Sequence, residues 1–171
     1  MPAPTTFTAV LAADLAGGIA RGGELPWKLP DDLSFFRDVT TGERNNAVIM
    51  GRATWDSLTR RYQPLPRRRN IVMSRDPQYQ APPPACTAHS LDEALVAADG
   101  CDEVFVVGGA EVYAQVFADP RCSVVLLTRV DADFGCDTFV TFPAPGFRRV
   151  GASEHRVNDG IGFTFERWER D

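Results

Sequence analysis

The sequence predicts an α/β fold: one domain over residues 1–171 with a mostly parallel sheet, helices on its flanks and an antiparallel C-terminal strand at its edge. Three observations carry this. Short apolar runs rich in β-branched residues alternate with helical stretches, the pattern of strands joined by crossover helices. The tail instead reads as strand, Asn158-Asp159-Gly160, strand, which is a hairpin and therefore antiparallel. At 171 residues and 44% hydrophobic, the chain can bury a single core without metals or disulfides, and it contains no repeat, linker or low-complexity block.

Residues 7–13 form an apolar run broken by Asp14 and by Gly17, Gly18, Gly22 and Gly23, so a buried strand passes into a loop free to act as a lid. Pro30 followed by Asp31 and Asp32 suits a helix start, where proline is tolerated and acids meet the positive end of the dipole. Residues 47–50 are a second strand ending in Gly51-Arg52, with a helix over 53–58. A third strand, 71–73, closes on Ser74-Arg75, and residues 79–84 are a proline-rich loop. Ser90 with Glu93 makes a capping box for a helix over 91–98. A fourth strand, 104–107, runs into Gly108-Gly109 and a helix over 110–117. Residues 124–130 are another strand, and 147–157 with 161–168 form the closing hairpin.

A net charge of -5 gives no electrostatic footprint for nucleic acid, so an anionic ligand needs a local arginine cluster. The four cysteines are scattered without ligand spacing, which predicts reduced thiols, a cytoplasmic setting and no metal site. Neither a signal peptide nor a membrane span is predicted, since the apolar N-terminal stretch lacks a basic flank and carries Asp14.

One carboxylate stands out. On a helix from Pro30, Asp32 shares a face with Phe35, Phe36 and Val39, the stripe that meets the core, whereas Asp31 lies with Ser34 and Phe35 nearer solvent. A buried carboxylate is expensive unless something donates hydrogen bonds to it, and a ligand can be that donor. The plainer alternative is that both acids only cap the helix.

Three strand ends, Gly51-Arg52, Ser74-Arg75 and Gly108-Gly109, suit an anion, and ligands of open α/β sheets bind beyond the carboxyl ends of strands. An elongated phosphorylated ligand such as a dinucleotide fits, although Gly108-Gly109-Ala110-Glu111 lacks the Gly-x-Gly-x-x-Gly spacing. No hydrolase elbow or zinc-protease motif occurs, and His89 and His155 are the only histidines. One buried acid beside a dinucleotide site points to hydride transfer.

The residues then resemble a known family. Ala12, Ile19, Leu25-Pro26-Trp27, Leu29-Pro30 with Asp32, Met50-Gly51-Arg52 with Thr54-Trp55 and Ser57, Pro64-Leu65-Pro66 with Arg68 and Asn70, Ser74-Arg75, Val107-Gly108-Gly109 with Val112-Tyr113, Leu127-Thr128 and Asp137-Thr138 follow the order of dihydrofolate reductases over almost the whole chain. The resemblance implies reduction of 7,8-dihydrofolate by NADPH on a central sheet of about eight strands. It makes Asp32 the acid of the pterin pocket, Thr128 its hydrogen-bond partner and Trp27 the holder of a water. It places Ala12, Leu33, Phe36, Leu58, Leu65 and Val107 around the substrate, with Arg68 as a bidentate clamp on the glutamate α-carboxylate.

For the cofactor, the resemblance implies Ala12, Ile19, Val107 and Tyr113 around the nicotinamide, and Arg52, Thr54, Ser74, Arg75 and His89 at phosphates and ribose. Arg75 is the candidate for the 2′-phosphate, and Gly51, Ala53, Gly108, Gly109, Ala110, Glu111 and Val112 complete the cleft. It also implies a cis peptide between Gly108 and Gly109, folate-like antagonists as further ligands, and a monomer. Three positions depart from the family pattern: Ala20 and Arg67 each stand where glycine is usual, and Ala53 lacks a frequent basic side chain. Within Arg67-Arg68-Arg69 the clamp falls to Arg68, two residues before Asn70. The rival readings are a pyrimidine reductase of riboflavin synthesis, which needs no Asp32, Arg68 and Thr128 together, and a silent NADPH-binding module. A fused thymidylate synthase is not expected in a chain of this extent.

Overall fold

The computed structural model describes residues 6–171. In chain order the elements are β1 (Phe7–Ala13), β2 (Gly18–Ala20), α1 (Pro30–Thr41), β3 (Ala47–Gly51), α2 (Arg52–Ser57), a 3-10 turn (Arg60–Tyr62), β4 (Arg69–Met73), β5 (Cys86–Ala88), α3 (Leu91–Ala97), β6 (Val104–Val106), α4 (Ala110–Phe117), β7 (Cys122–Val130), β8 (Thr138–Phe139), β9 (Phe147–Ala152), β10 (Arg156–Asn158) and β11 (Ile161–Arg170).

The sheet runs β10-β11-β7-β1-β6-β3-β4-β5, with β9 also on β11. The pairs from β5 across to β7 are all parallel, and β11 is antiparallel to β7, β9 and β10. The predicted fold class therefore stands, with β9 and β10 sharing the outermost of eight ranks. Alternate residues of each strand go to opposite faces. Val10, Val48, Met50, Val72 and Phe105 meet Trp55 of α2 and the partly buried Phe36 and Val39 of α1. Leu11, Ile49, Ile71, Val104 and Val106 meet Leu91, Ala94 and Leu95 of α3 and Tyr113, Val116 and Phe117 of α4. Both faces are covered, which is why these strands read as nearly continuous apolar runs.

The structure differs from the sequence reading where local side-chain bonding overrides pattern. Residues 147–157, expected as one strand, split at Ser153: its N–H donates to the Phe165 carbonyl (2.7 Å) and its hydroxyl accepts from the Phe165 N–H (3.0 Å). The hydroxyl thus takes a ladder position that a backbone carbonyl would hold, and the chain swings away before β10. β2, β5 and β8 are three residues or fewer, too short to carry a period. The Ser90 hydroxyl accepts from the Glu93 N–H (3.0 Å) as expected, but the Glu93 carboxylate reaches back to the N–H of His89 (2.7 Å). All four cysteines are free thiols. Among the described residues no helix is long and apolar enough to cross a membrane, and no group of acids, His and Cys could hold a metal ion.

Candidate active site

The register of β7 sets the centre of the site. Thr128 lies between Ala12 of β1 and Phe165 of β11. Phe165 stacks on Phe35 of α1, ring centroids 4.3 Å apart, and so pins the first turns of that helix over the end of β7. Thr128 then donates a hydrogen bond of 2.6 Å to Asp32 Oδ1. Burial pushes the Asp32 carboxyl above its ordinary value, and the Thr128 hydroxyl offsets this only in part. α1 has no side-chain N-cap, so Asp32 is not spent on helix capping. Asp31 is exposed and accepts from Asn158 Nδ2 of the hairpin turn (3.3 Å).

Trp27 is buried against Leu29, Val130, Cys136 and Phe163, with Ala12 packed on the same cluster. Its indole Nε1–H finds no acceptor among the described residues. A buried donor left in that state is rare and costly, so the site is built to present it to something polar. Phe36, Leu58 and Val107 are partly buried and Leu65 is buried, all with the cluster that backs α1 and α2, while Leu33 stands 59% exposed beside them.

The three arginines after Pro66 have separate fates. Arg69 donates to the carbonyls of Ala97 and Asp99 (both 2.9 Å) and closes the end of α3. Arg67 is exposed with φ +60°, a left-handed backbone that favours glycine. Arg68 alone is braced toward α1, donating from Nη1 to the Thr40 hydroxyl (2.9 Å) and from Nε to the Pro66 carbonyl (2.9 Å). Asn70 holds this loop in shape, accepting from Leu65 N–H (2.8 Å) and donating to the carbonyls of Leu65 (3.0 Å) and Arg68 (2.9 Å). Thr40 was not visible as a site residue in the sequence, since a threonine near a helix end has many ordinary uses.

Across the sheet, β3, β4 and β6 end side by side. The Gly108-Gly109 peptide is cis, and Gly51 N–H donates to the Gly108 carbonyl (2.9 Å). A Cβ on Gly108, whose φ is +142°, would lie 2.8 Å from Thr54 Oγ1, so glycine is required there. Gly109 is the N-cap of α4 and no side chain caps that terminus, so its first amides are open to an acceptor; Ala110, Glu111 and Val112 form the first turn. Ser74 is buried and its carbonyl accepts from His89 Nδ1 (2.9 Å). Arg52, with the exposed Ala53 behind it, lies over the Tyr79 ring at 4.2 Å, and Arg75 is exposed. Tyr113 is buried beneath this cleft, its hydroxyl donating to the Val10 carbonyl of β1 (2.6 Å).

Ile19 is buried on β2, in the loop expected to act as a lid. That loop is laid against residues 132–140: β2 pairs with β8, Asp137 N–H donates to the Ala20 carbonyl (3.0 Å), and Gly22 N–H donates to Asp137 Oδ2 (2.9 Å). Sequence reasoning missed its anchor. Asp14 is fully buried and accepts from the N–H groups of Ala16 (3.0 Å), Gly18 (2.8 Å) and Phe134 (3.0 Å) and from the Cys136 thiol (3.4 Å). Burial alone would raise its carboxyl, but these donors outweigh burial and hold it below the ordinary range. A Cβ on Gly18 would fall 2.6 Å from Cys136 Sγ and 2.9 Å from Asp14 Oδ1, so the latch closes only around glycine. The available signal was an acid ending an apolar strand just before a glycine-rich turn, where a carboxylate can gather loop amides.

Fold and site together define a class: single-domain α/β proteins in which a cleft at the carboxyl ends of parallel strands joins a partly buried acid to glycine-lined strand ends. Residues 6–170 match the dihydrofolate reductase family. The chain is 38% identical over 169 residues to the dihydrofolate reductase of Neisseria meningitidis, covering 96% of this chain and 97% of that protein. It is also 34% identical over 174 residues to the bifunctional dihydrofolate reductase-thymidylate synthase 2 of Arabidopsis thaliana, covering 94% of this chain and 31% of that protein, so it spans about a third of such bifunctional relatives. A solved dihydrofolate reductase from Enterococcus faecalis, complexed with NADP(H) and RAB-propyl, superposes with a TM-score of 0.82 at 32% identity, covering 97% of this chain and 96% of that one. The chain belongs to the dihydrofolate reductase family.

Proposed function

We propose that this protein reduces 7,8-dihydrofolate to 5,6,7,8-tetrahydrofolate with NADPH as its cofactor. The observation that carries the reading is the Asp32–Thr128 hydrogen bond of 2.6 Å, which fixes one partly buried carboxylate at the mouth of the cleft. Asp32 and Thr128 bind the amidine-like edge of the pterin, with Leu33, Phe36, Leu58 and Leu65 against the rings and Arg68 on the glutamate α-carboxylate. The dinucleotide fits the opposite half: the uncapped α4 terminus suits its pyrophosphate, Arg52, Ser74, Arg75 and His89 suit phosphate and ribose, and Ala12, Ile19 and Val107 flank the nicotinamide end. NADPH, when bound, supplies the hydride that goes to C6 of dihydrofolate.

The chain's own residues manage the proton. Reduction at C6 requires a proton on N5, and Asp32 holds the far edge of the pterin rather than N5, so the proton arrives through water. Trp27 Nε1–H, which has no acceptor among the described residues, is the donor that orients such a water. The Asp32 charge, in a site shielded from bulk solvent, favours the cationic, N5-protonated pterin. The lid shields the reaction when it lies against residues 132–140. The same reading makes the protein a cytoplasmic monomer that also binds folate-like antagonists.

The test is the loss of NADPH absorbance with dihydrofolate, with folate and the pyrimidine intermediate of riboflavin synthesis as comparison substrates. Turnover of dihydrofolate in preference to both is expected. Turnover of the pyrimidine alone would assign the protein to the rival reductase, and NADPH binding without any turnover would make it a silent module.

A further inference from the structure

The two cations proposed for the cofactor's phosphates are already engaged by the chain's own carboxylates. Arg52 Nε lies 3.6 Å from Asp56 and its Nη1 lies 3.9 Å from Asp76. Arg75 Nη2 lies 3.1 Å from Glu111 Oε2, and both side chains are more than 80% exposed. β4, β3 and β6 are neighbours in that order; Arg75 follows β4, and Glu111 stands in the first turn of α4, which follows β6. The Arg75–Glu111 pair therefore reaches over the carboxyl end of β3, across the cleft a dinucleotide would enter.

This arrangement treats a 2′-phosphate and a 2′-hydroxyl differently. A phosphate must take Arg75 from Glu111 and then tolerate that carboxylate beside it. A hydroxyl asks nothing of Arg75, and a carboxylate near it is a hydrogen-bond acceptor, the arrangement by which dinucleotide sites receive an unphosphorylated ribose. We propose that Glu111 lowers the cofactor discrimination of this protein, holding its preference for NADPH over NADH below what Arg52 and Arg75 alone would give. The inference rests on the reading of Arg75 as the 2′-phosphate residue.

The test is equilibrium binding of NADPH and NADH, followed by tryptophan fluorescence, to the wild type, Glu111→Gln and Arg75→Gln. Glu111→Gln is expected to tighten NADPH about two- to fivefold, the range of an exposed ion pair, and to leave NADH no tighter, since an amide oxygen accepts from a ribose hydroxyl no better than a carboxylate does. Equal effects of Glu111→Gln on both dinucleotides, or an effect on neither, would overturn the proposal. Arg75→Gln separates the two levels: it should weaken NADPH alone, and an equal loss for both dinucleotides would remove the reading of Arg75 itself.

Discussion

Asp32 is where burial and charge conflict, and that conflict has a sign that can be measured. Its folded carboxyl titrates above the ordinary value of 3.8 because of burial, with only Thr128 offsetting it. Below the ordinary value the acid is protonated in both folded and unfolded chains and costs nothing. As pH rises through it the unfolded chain ionises first, so stability falls until the raised folded pKa is passed and stays reduced above that. Asp32→Asn, which can still accept from Thr128, should therefore be more stable than the wild type at neutral pH by urea denaturation, with the difference shrinking toward acid. The same variant should lose about 10² to 10⁴-fold in hydride transfer at pH 7, measured in single turnovers with deuterated NADPH. Its rate should keep rising as pH falls where the wild type levels off; equal slowing at every pH would remove Asp32 from proton management. Arg68→Lys should weaken folate and its carboxylate-bearing antagonists in a binding assay while sparing small diaminopyrimidines, because a lysine cannot fork a carboxylate while bonding the Thr40 hydroxyl. That Asp32 turns inward and Asp31 stays exposed was legible from helical period, whereas the choice of Arg68 rested on the family resemblance. Thr40 and the unpartnered Trp27 indole were not legible, since neither bond geometry nor its absence leaves a mark in one sequence.

The lid shows how an element too small for pattern reading is held. β2 has three residues and β8 two, and both depend on a carboxylate that ends β1. Asp14 titrates opposite to Asp32: its net shift is downward, because backbone donors outweigh burial. Its contribution is complete above the ordinary value and is lost as pH falls through the lowered folded one. Asp14→Ala leaves the amides of Ala16, Gly18 and Phe134 without their acceptor. It should cost about 1 to 3 kcal/mol in chemical denaturation, since buried donors are stranded. More specifically, hydrogen exchange should rise at residues 15–22 and 132–138 while the amides of β3 and β4 stay protected. Exchange that rises evenly over the whole sheet would mean that Asp14 supports the core and not the lid. The same latch keeps Cys136 inert, since burial first and then the neighbouring Asp14 push its thiol up to about 11. The sequence showed a glycine-rich loop but not its resting place, because the partner segment lies more than a hundred residues away.

At the scale of the whole molecule, the site collects residues that are far apart in the chain and near in the sheet. Alternation of strand and helix made the parallel sheet legible, but not its order: β6 enters between β1 and β3, bringing Gly108 and Gly109 against Gly51. Nothing local encodes that insertion, which leaves both faces of the sheet covered by helices. One consequence is thermodynamic. The ends of β1, β3, β4, β6 and β7 must all be in place before either ligand has a site, so each ligand binds the folded chain and not the unfolded one. At a hundred times its Kd a single ligand should add about 2.7 kcal/mol, and in a chain of this size that raises Tm by about 5 to 10 °C. On the proposed reading the pterin half is built on α1, β7 and the Arg68 loop, and the cofactor half on the ends of β3, β4 and β6. Two such sites make separate contributions, so NADPH and a carboxylate-bearing folate antagonist together should raise Tm by at least the sum of their single shifts in a thermal scan. A combined shift no larger than the better single one would mean that the ligands compete, and that the two halves form one pocket.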